Sequence, residues 1–160
     1  MHIPFRTKLL LECLGWLITA LIVAMVMFPI WSGFAMPYPF AVENTVFVLL
    51  VVTYLRYMLL LRYTWLADPL WAKITVLFLT PELLLWAIFS VNKFQRFYDE
   101  QGSDTLLPLM KPASVEAQMQ TLFYIKNEMM FFGIASIVLI AAMFPFMIAA
   151  IWRKYNRGSV

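Results

Sequence analysis

Apolar residues run almost without interruption through four segments of this chain, about 13–31, 45–61, 70–91 and 129–152, with shorter polar stretches between them. Roughly 20 apolar residues suffice to cross a hydrocarbon layer of about 30 Å, and each segment is close to that length. None alternates apolar with polar positions, so the segments do not read as barrel strands. A backbone surrounded by lipid satisfies its own N–H and C=O groups, which leaves helices. The pattern predicts an all-α integral membrane protein: a single domain over residues 1–160, folded as an antiparallel four-transmembrane-helix bundle.

A helical period continues beyond the third segment. Phe94, Phe97 and Tyr98 keep the spacing as far as Glu100, and Gly102-Ser103 reads as a break. After Pro112, Ser114 has the character of an N-cap, and Val115, Met119, Leu122 and Phe123 then fall on one helical face. Neither Gly nor Pro interrupts residues 115–132, so this face leads directly into the fourth segment. The prediction is that helices 3 and 4 extend into an extracytoplasmic helical hairpin over about 92–128. Phe94, Phe97, Val115, Met119, Leu122 and Phe123 are its candidate interaction surface. Within the fourth segment, Gly133, Ala135, Ala142 and Ala149, beside Ser136, predict a smooth stripe for close helix packing. Pro29 is expected to end or kink the first helix, and Pro145 to kink the fourth.

Composition removes the soluble alternatives. The chain is 63% hydrophobic and 13% charged, against about 25% charged in ordinary soluble domains, and its mean hydropathy is +0.80. The net charge of +3 does not mark a nucleic-acid partner, because the basic residues gather at helix ends, where they meet anionic lipid heads. Of the 12 Lys and Arg residues, eight fall on one side of the predicted topology: Arg6, Lys8, Arg56, Arg62, Lys73, Arg153, Lys154 and Arg157. The other four, Lys93, Arg96, Lys111 and Lys126, share the long third connection with Asp99, Glu100, Asp104, Glu116 and Glu128. The positive-inside rule then predicts a multi-pass plasma (inner) membrane protein with both termini cytoplasmic. The first apolar segment is too long for a typical cleaved signal and reads as a retained helix. The single cysteine, Cys13, excludes an internal disulfide.

Ionisable residues at bilayer depth are the candidates for chemistry. Glu82, directly after Pro81 in the middle of the third segment, is costly there by about 2.5 kcal/mol or more. It is expected to be buried between helices, either as a proton or cation site or as a packing carboxyl. Glu12, Arg56 and Lys73 fall in one half of the bundle, and an Arg56–Glu12 ion pair would neutralise two charges in one contact. The only histidine is His2, which leaves bis-histidine haem ligation, histidine metal centres and a Ser-His-Asp triad unsupported. No phosphate-loop, dinucleotide or zinc-protease motif is present. These observations predict no catalytic residues, no cofactor and no metal. Membrane lipids and other membrane-protein subunits, or a second copy of the chain, are the expected partners. The leading expectation is an accessory or assembly subunit of a larger membrane complex. The alternative is an oligomeric proton- or ion-coupled transporter or channel using Glu82 and Arg56. A lipid- or quinone-handling enzyme relying on Glu82, Tyr54, Tyr57 or Tyr63 ranks third.

Overall fold

A computed structural model of the chain describes residues 4–156; His2 and Arg157, counted above, lie outside them. Four long helices carry almost all of this stretch: α1 (Phe5–Gly33), α2 (Ala41–Leu60), α3 (Leu70–Leu106) and α4 (Val115–Asn156). All four are long and apolar enough to cross a membrane, which points to a multi-pass membrane protein. At about 1.5 Å per residue, the 37 residues of α3 and 42 of α4 extend to roughly 55 and 63 Å.

Local chemistry sets the ends of these helices. Ser114 starts α4 by accepting the Ala117 N–H on its hydroxyl at 3.3 Å, as its position predicts. Phe34 leaves α1 with extended backbone. Thr64, also extended, separates two short 3-10 turns between α2 and α3, and its hydroxyl donates to the Leu61 carbonyl. Helical structure runs unbroken through Pro29, Pro81 and Pro145, so Pro29 does not end α1. Gly102-Ser103 is likewise no break. There α3 continues to Leu106, and buried Gly102 lies against the Tyr98 ring, which a Cβ would approach to 3.2 Å. The helix stops instead beside Pro108, which cannot donate to a further turn.

The packing centres on α4, which lies against both α3 and α2, while α1 rests mainly on α2. Phe47, Phe94, Met27, Ile30, Ile125, Met129, Ile140, Met143 and Met147 are fully or almost fully enclosed. The helices approach closely at Gly133, where an added Cβ would sit 2.6 Å from Val91 Cγ2 and 3.5 Å from the Phe47 ring. One turn further, Ser136 donates to the Phe47 carbonyl at 3.1 Å. The tight face of α4 therefore runs through Gly133, Ser136, Ile140, Met143 and Met147. Ala135, Ala142 and Ala149 are only half-buried on its flanks. The buried residues repeat every seven positions just as the alanines do, so the two rows run side by side and the alanine row is rotated off the seam.

Contacts at both ends tie distant segments together. Beyond α1, the backbone of Ala35 donates to the Leu109 carbonyl at 2.9 Å and Lys111 donates to the Gly33 carbonyl at 2.9 Å, forming a short antiparallel bridge between Phe34 and Met110. At the other end, Lys8 pairs with Asp68 at 2.8 Å and Lys154 donates to the Asp68 carbonyl.

Gly133→Val is expected to lower the thermal unfolding midpoint in detergent, with a loss of about 1–3 kcal/mol from overpacking. Val91→Ala, introduced in the same chain, should restore part of that loss. Full stability of Gly133→Val alone would contradict the close packing.

Candidate functional site

Four places hold the polar side chains of interest. The first joins α1 to α2. Arg56 Nη2 donates to Glu12 Oε1 at 2.7 Å, and Nη1 reaches the Glu12 carbonyl at 3.4 Å. Tyr57 donates its hydroxyl to the same Oε1 at 2.7 Å. The guanidinium carbon lies 5.0 Å from the Trp16 ring centre and 4.9 Å from that of Tyr57, within cation–π range. Gly15 makes room for this arrangement, since a Cβ there would collide with the guanidinium. The ion pair expected from the sequence is thus present, with side chains 11% and 8% exposed. Glu12 Oε2 and Arg56 Nε nevertheless have no partner. Lys73 is not in this group; its ammonium donates to the Ala67 carbonyl at 2.6 Å.

The second place is the end that carries the termini. Lys8, Lys73, Arg153 and Lys154 gather there around the turn containing Asp68. A pocket of about 560 Å³ opens between the last turns of α2 and α4, with Asp68, Lys73, Arg153 and Lys154 on its polar wall.

Glu82 is the third, and its position corrects the expectation of burial between helices. The residue is exposed on the outer side of α3, between Phe78, Leu79 and Leu85, which are exposed as well. No ion pair among the described residues includes it. Its predicted companions Arg56 and Glu12 are committed to each other, so the four residues do not form one site. An apolar helix offers no contrast between faces from which the buried side could be read, which is why the sequence did not reveal this orientation.

The fourth was not legible at all. Tyr38, Asn44 and Glu128 are buried near the opposite end of the molecule. The Tyr38 hydroxyl, both polar atoms of the Asn44 amide and both Glu128 oxygens have no hydrogen-bond partner. Asn44 adjoins Glu128 across α2 and α4 without a bond of good geometry. Burial pushes the Tyr38 phenol well above its ordinary range, and the carboxylates of Glu128 and Glu43 add to that shift.

Beside Glu128 runs a groove of about 1140 Å³ along the first half of α4. Met119, Leu122 and Phe123 of the predicted surface line it. The surface itself divides. Val115 and Phe123 are 71% and 67% exposed, whereas Leu122 is 3% exposed and packs inward. Phe94 and Phe97 turn away from the groove and pack against Phe40, the first edge-on and the second tilted, with ring centres 5.3 and 5.0 Å apart.

Arg56→Ala is expected to cost about 3–5 kcal/mol by stranding the buried Glu12 charge, measured as loss of the folded fraction in a denaturant titration. Replacing both partners with Leu should recover much of it, and Tyr57→Phe should cost about 1 kcal/mol. Purely additive single and double variants would mean that the pair does not couple α1 to α2. Glu128→Gln should raise the unfolding midpoint, because an amide is cheaper to bury without a full set of partners than a carboxylate. A fall in the midpoint would show that the charge has a partner in the folded protein.

No family model, no curated protein and no solved structure matches the chain, so its function is read from the geometry above.

Proposed function

We propose that this chain acts by intramembrane association, as an accessory or assembly subunit of a larger membrane complex. It would stand as an antiparallel four-transmembrane-helix bundle in the plasma (inner) membrane, with both termini cytoplasmic and the ends of α3 and α4 forming an extracytoplasmic hairpin. The observation that carries the reading is the outward position of Glu82. Lys73 and Lys93 bracket it on α3, nine and eleven residues away, or about 13 and 17 Å along the axis. With Lys73 and Lys93 at the two edges of a layer about 30 Å thick, those distances support a position for Glu82 near its middle. Too far from either edge to snorkel, a carboxyl there faces hydrocarbon at a cost of about 2.5 kcal/mol or more. A neighbouring helix that offers a donor or a basic group removes that cost.

The interior supports association over transport. Its centre is filled by Phe47, Ile140, Met143 and Met147, and Arg56 is held by Glu12. A channel would therefore require several copies assembled around Glu82. Either partner, a different subunit or a second copy, meets the same side of α3. Exposed Val115 and Phe123 offer a second contact at the far end.

Native mass spectrometry in mild detergent, on the full chain drawn from its own membrane, tests the reading. Wild type is expected to keep a membrane-protein partner of defined stoichiometry. Glu82→Leu should release that partner by at least tenfold, equivalent to about 1.4 kcal/mol and typical of one interhelical hydrogen bond in lipid. Glu82→Gln should retain part of the association. A lone wild-type chain, with photo-crosslinkers at Phe78 and Leu85 capturing lipid alone, would overturn the proposal.

A further inference from the structure

We propose that the pocket at the terminus-bearing end binds the phosphate of an anionic phospholipid. Four cations, Lys8, Lys73, Arg153 and Lys154, meet there with a single carboxylate, Asp68. That carboxylate is already engaged, because Lys8 donates to both of its oxygens at 2.8 Å. Lys154 donates to the Asp68 carbonyl and Lys73 to the Ala67 carbonyl. Both acceptors are neutral. Among the described residues, none of Lys73, Arg153 and Lys154 has a carboxylate within ion-pair distance. Lys73 is the most telling of them, since it is only 3% exposed, it bonds to a neutral carbonyl, and the one carboxylate near it, Asp68, is held by Lys8; a buried ammonium so weakly compensated is costly. One anionic oxygen group held between Lys73, Lys154 and Arg153 supplies that charge. An ammonium has three N–H donors and a guanidinium five, so hydrogen bonds remain for it after those already formed.

Helix α3 adds to the attraction. It begins at Leu70 with no side-chain cap, so the partial positive charge of its first turn lies beside the same pocket.

The apolar half of the site selects a lipid over a soluble anion. Met58, Leu59, Leu61 and Phe146, with Ala67 and Ala150, form the remaining wall. Leu59 is 76% exposed, and Leu55, one turn before it on α2, is exposed too. The pocket therefore opens onto an apolar helix surface along which acyl chains can lie. Trp71 and Trp152 are exposed at the same level, where amphipathic rings mark the headgroup region. Phosphate above and hydrocarbon below match one phospholipid molecule.

Native mass spectrometry of the delipidated full chain, supplied with anionic phosphatidylglycerol or zwitterionic phosphatidylcholine of identical acyl chains, tests the site. Wild type is expected to retain the anionic lipid at least tenfold better. Removing one basic group should weaken retention about fivefold, and removing two roughly 25-fold. Arg153→Gln with Lys154→Gln is the informative variant because both side chains are exposed; losing the exposed Lys154 bond to the Asp68 carbonyl should lower its unfolding midpoint without lipid only slightly. Millimolar inorganic phosphate should not displace the lipid. Equal retention of the two lipids, an unaffected Arg153→Gln/Lys154→Gln chain, or saturation by inorganic phosphate alone would each overturn the proposal.

Discussion

The hydrocarbon surroundings for which these four helices are built impose one constraint on everything else: a polar group without a partner finds no water there. The backbone answers it with helices. Side chains answer it with whatever acceptor lies within reach, and the nearest is the helix itself. Thr19, Thr45, Thr75, Thr80 and Thr121 each donate their hydroxyl to the carbonyl four residues earlier, a bond a helix offers at every turn. Groups too large or too charged for that solution determine the tertiary arrangement. Arg56 has Glu12, Trp16 and Tyr57 around it, and Ser136 reaches across to the Phe47 carbonyl.

Much of the architecture was legible because membrane helices are specified by length and composition. The four apolar runs, the Ser114 cap and the meeting of Glu12 with Arg56 all follow from residue types at fixed spacing. What was not legible is which way each helix faces. Glu82 reads as a buried group on energetic grounds, and that argument is sound only for a chain that is alone in the membrane. Its outward orientation makes the same cost an argument about neighbours. Gly102 misled for another reason: as a helix breaker it suggests a turn, yet in α3 its missing side chain accommodates the Tyr98 ring.

Tyr38, Asn44 and Glu128 illustrate a harder limit. They come from a connection and two helices, and no local pattern links them. Only the packing of α2 against α4, fixed where Gly133 admits Val91 and Phe47, brings Asn44 and Glu128 together. The basic cluster lies between these extremes. Its residues all fall on the positive side of the sequence pattern, but their convergence on the turn at Asp68 depends on α1, α3 and α4 ending at the same height.

The contacts that close each end also fix an order of events. A chain made from its N-terminus presents Glu12 long before Arg56, 44 residues later, and the Asp68 carbonyl meets Lys154 only after 86 more residues have followed. Gly33 accepts its bond from Lys111 after the whole of α2 and α3 has been produced. Early helices therefore enter the membrane with their polar groups unmatched, and the last segment to emerge is the one that latches the first turn between membrane segments at this end. A chain that ends before residue 154 can therefore form its Glu12–Arg56 and Lys8–Asp68 pairs and still lack the Lys154 bond that joins the last helix to the turn at Asp68.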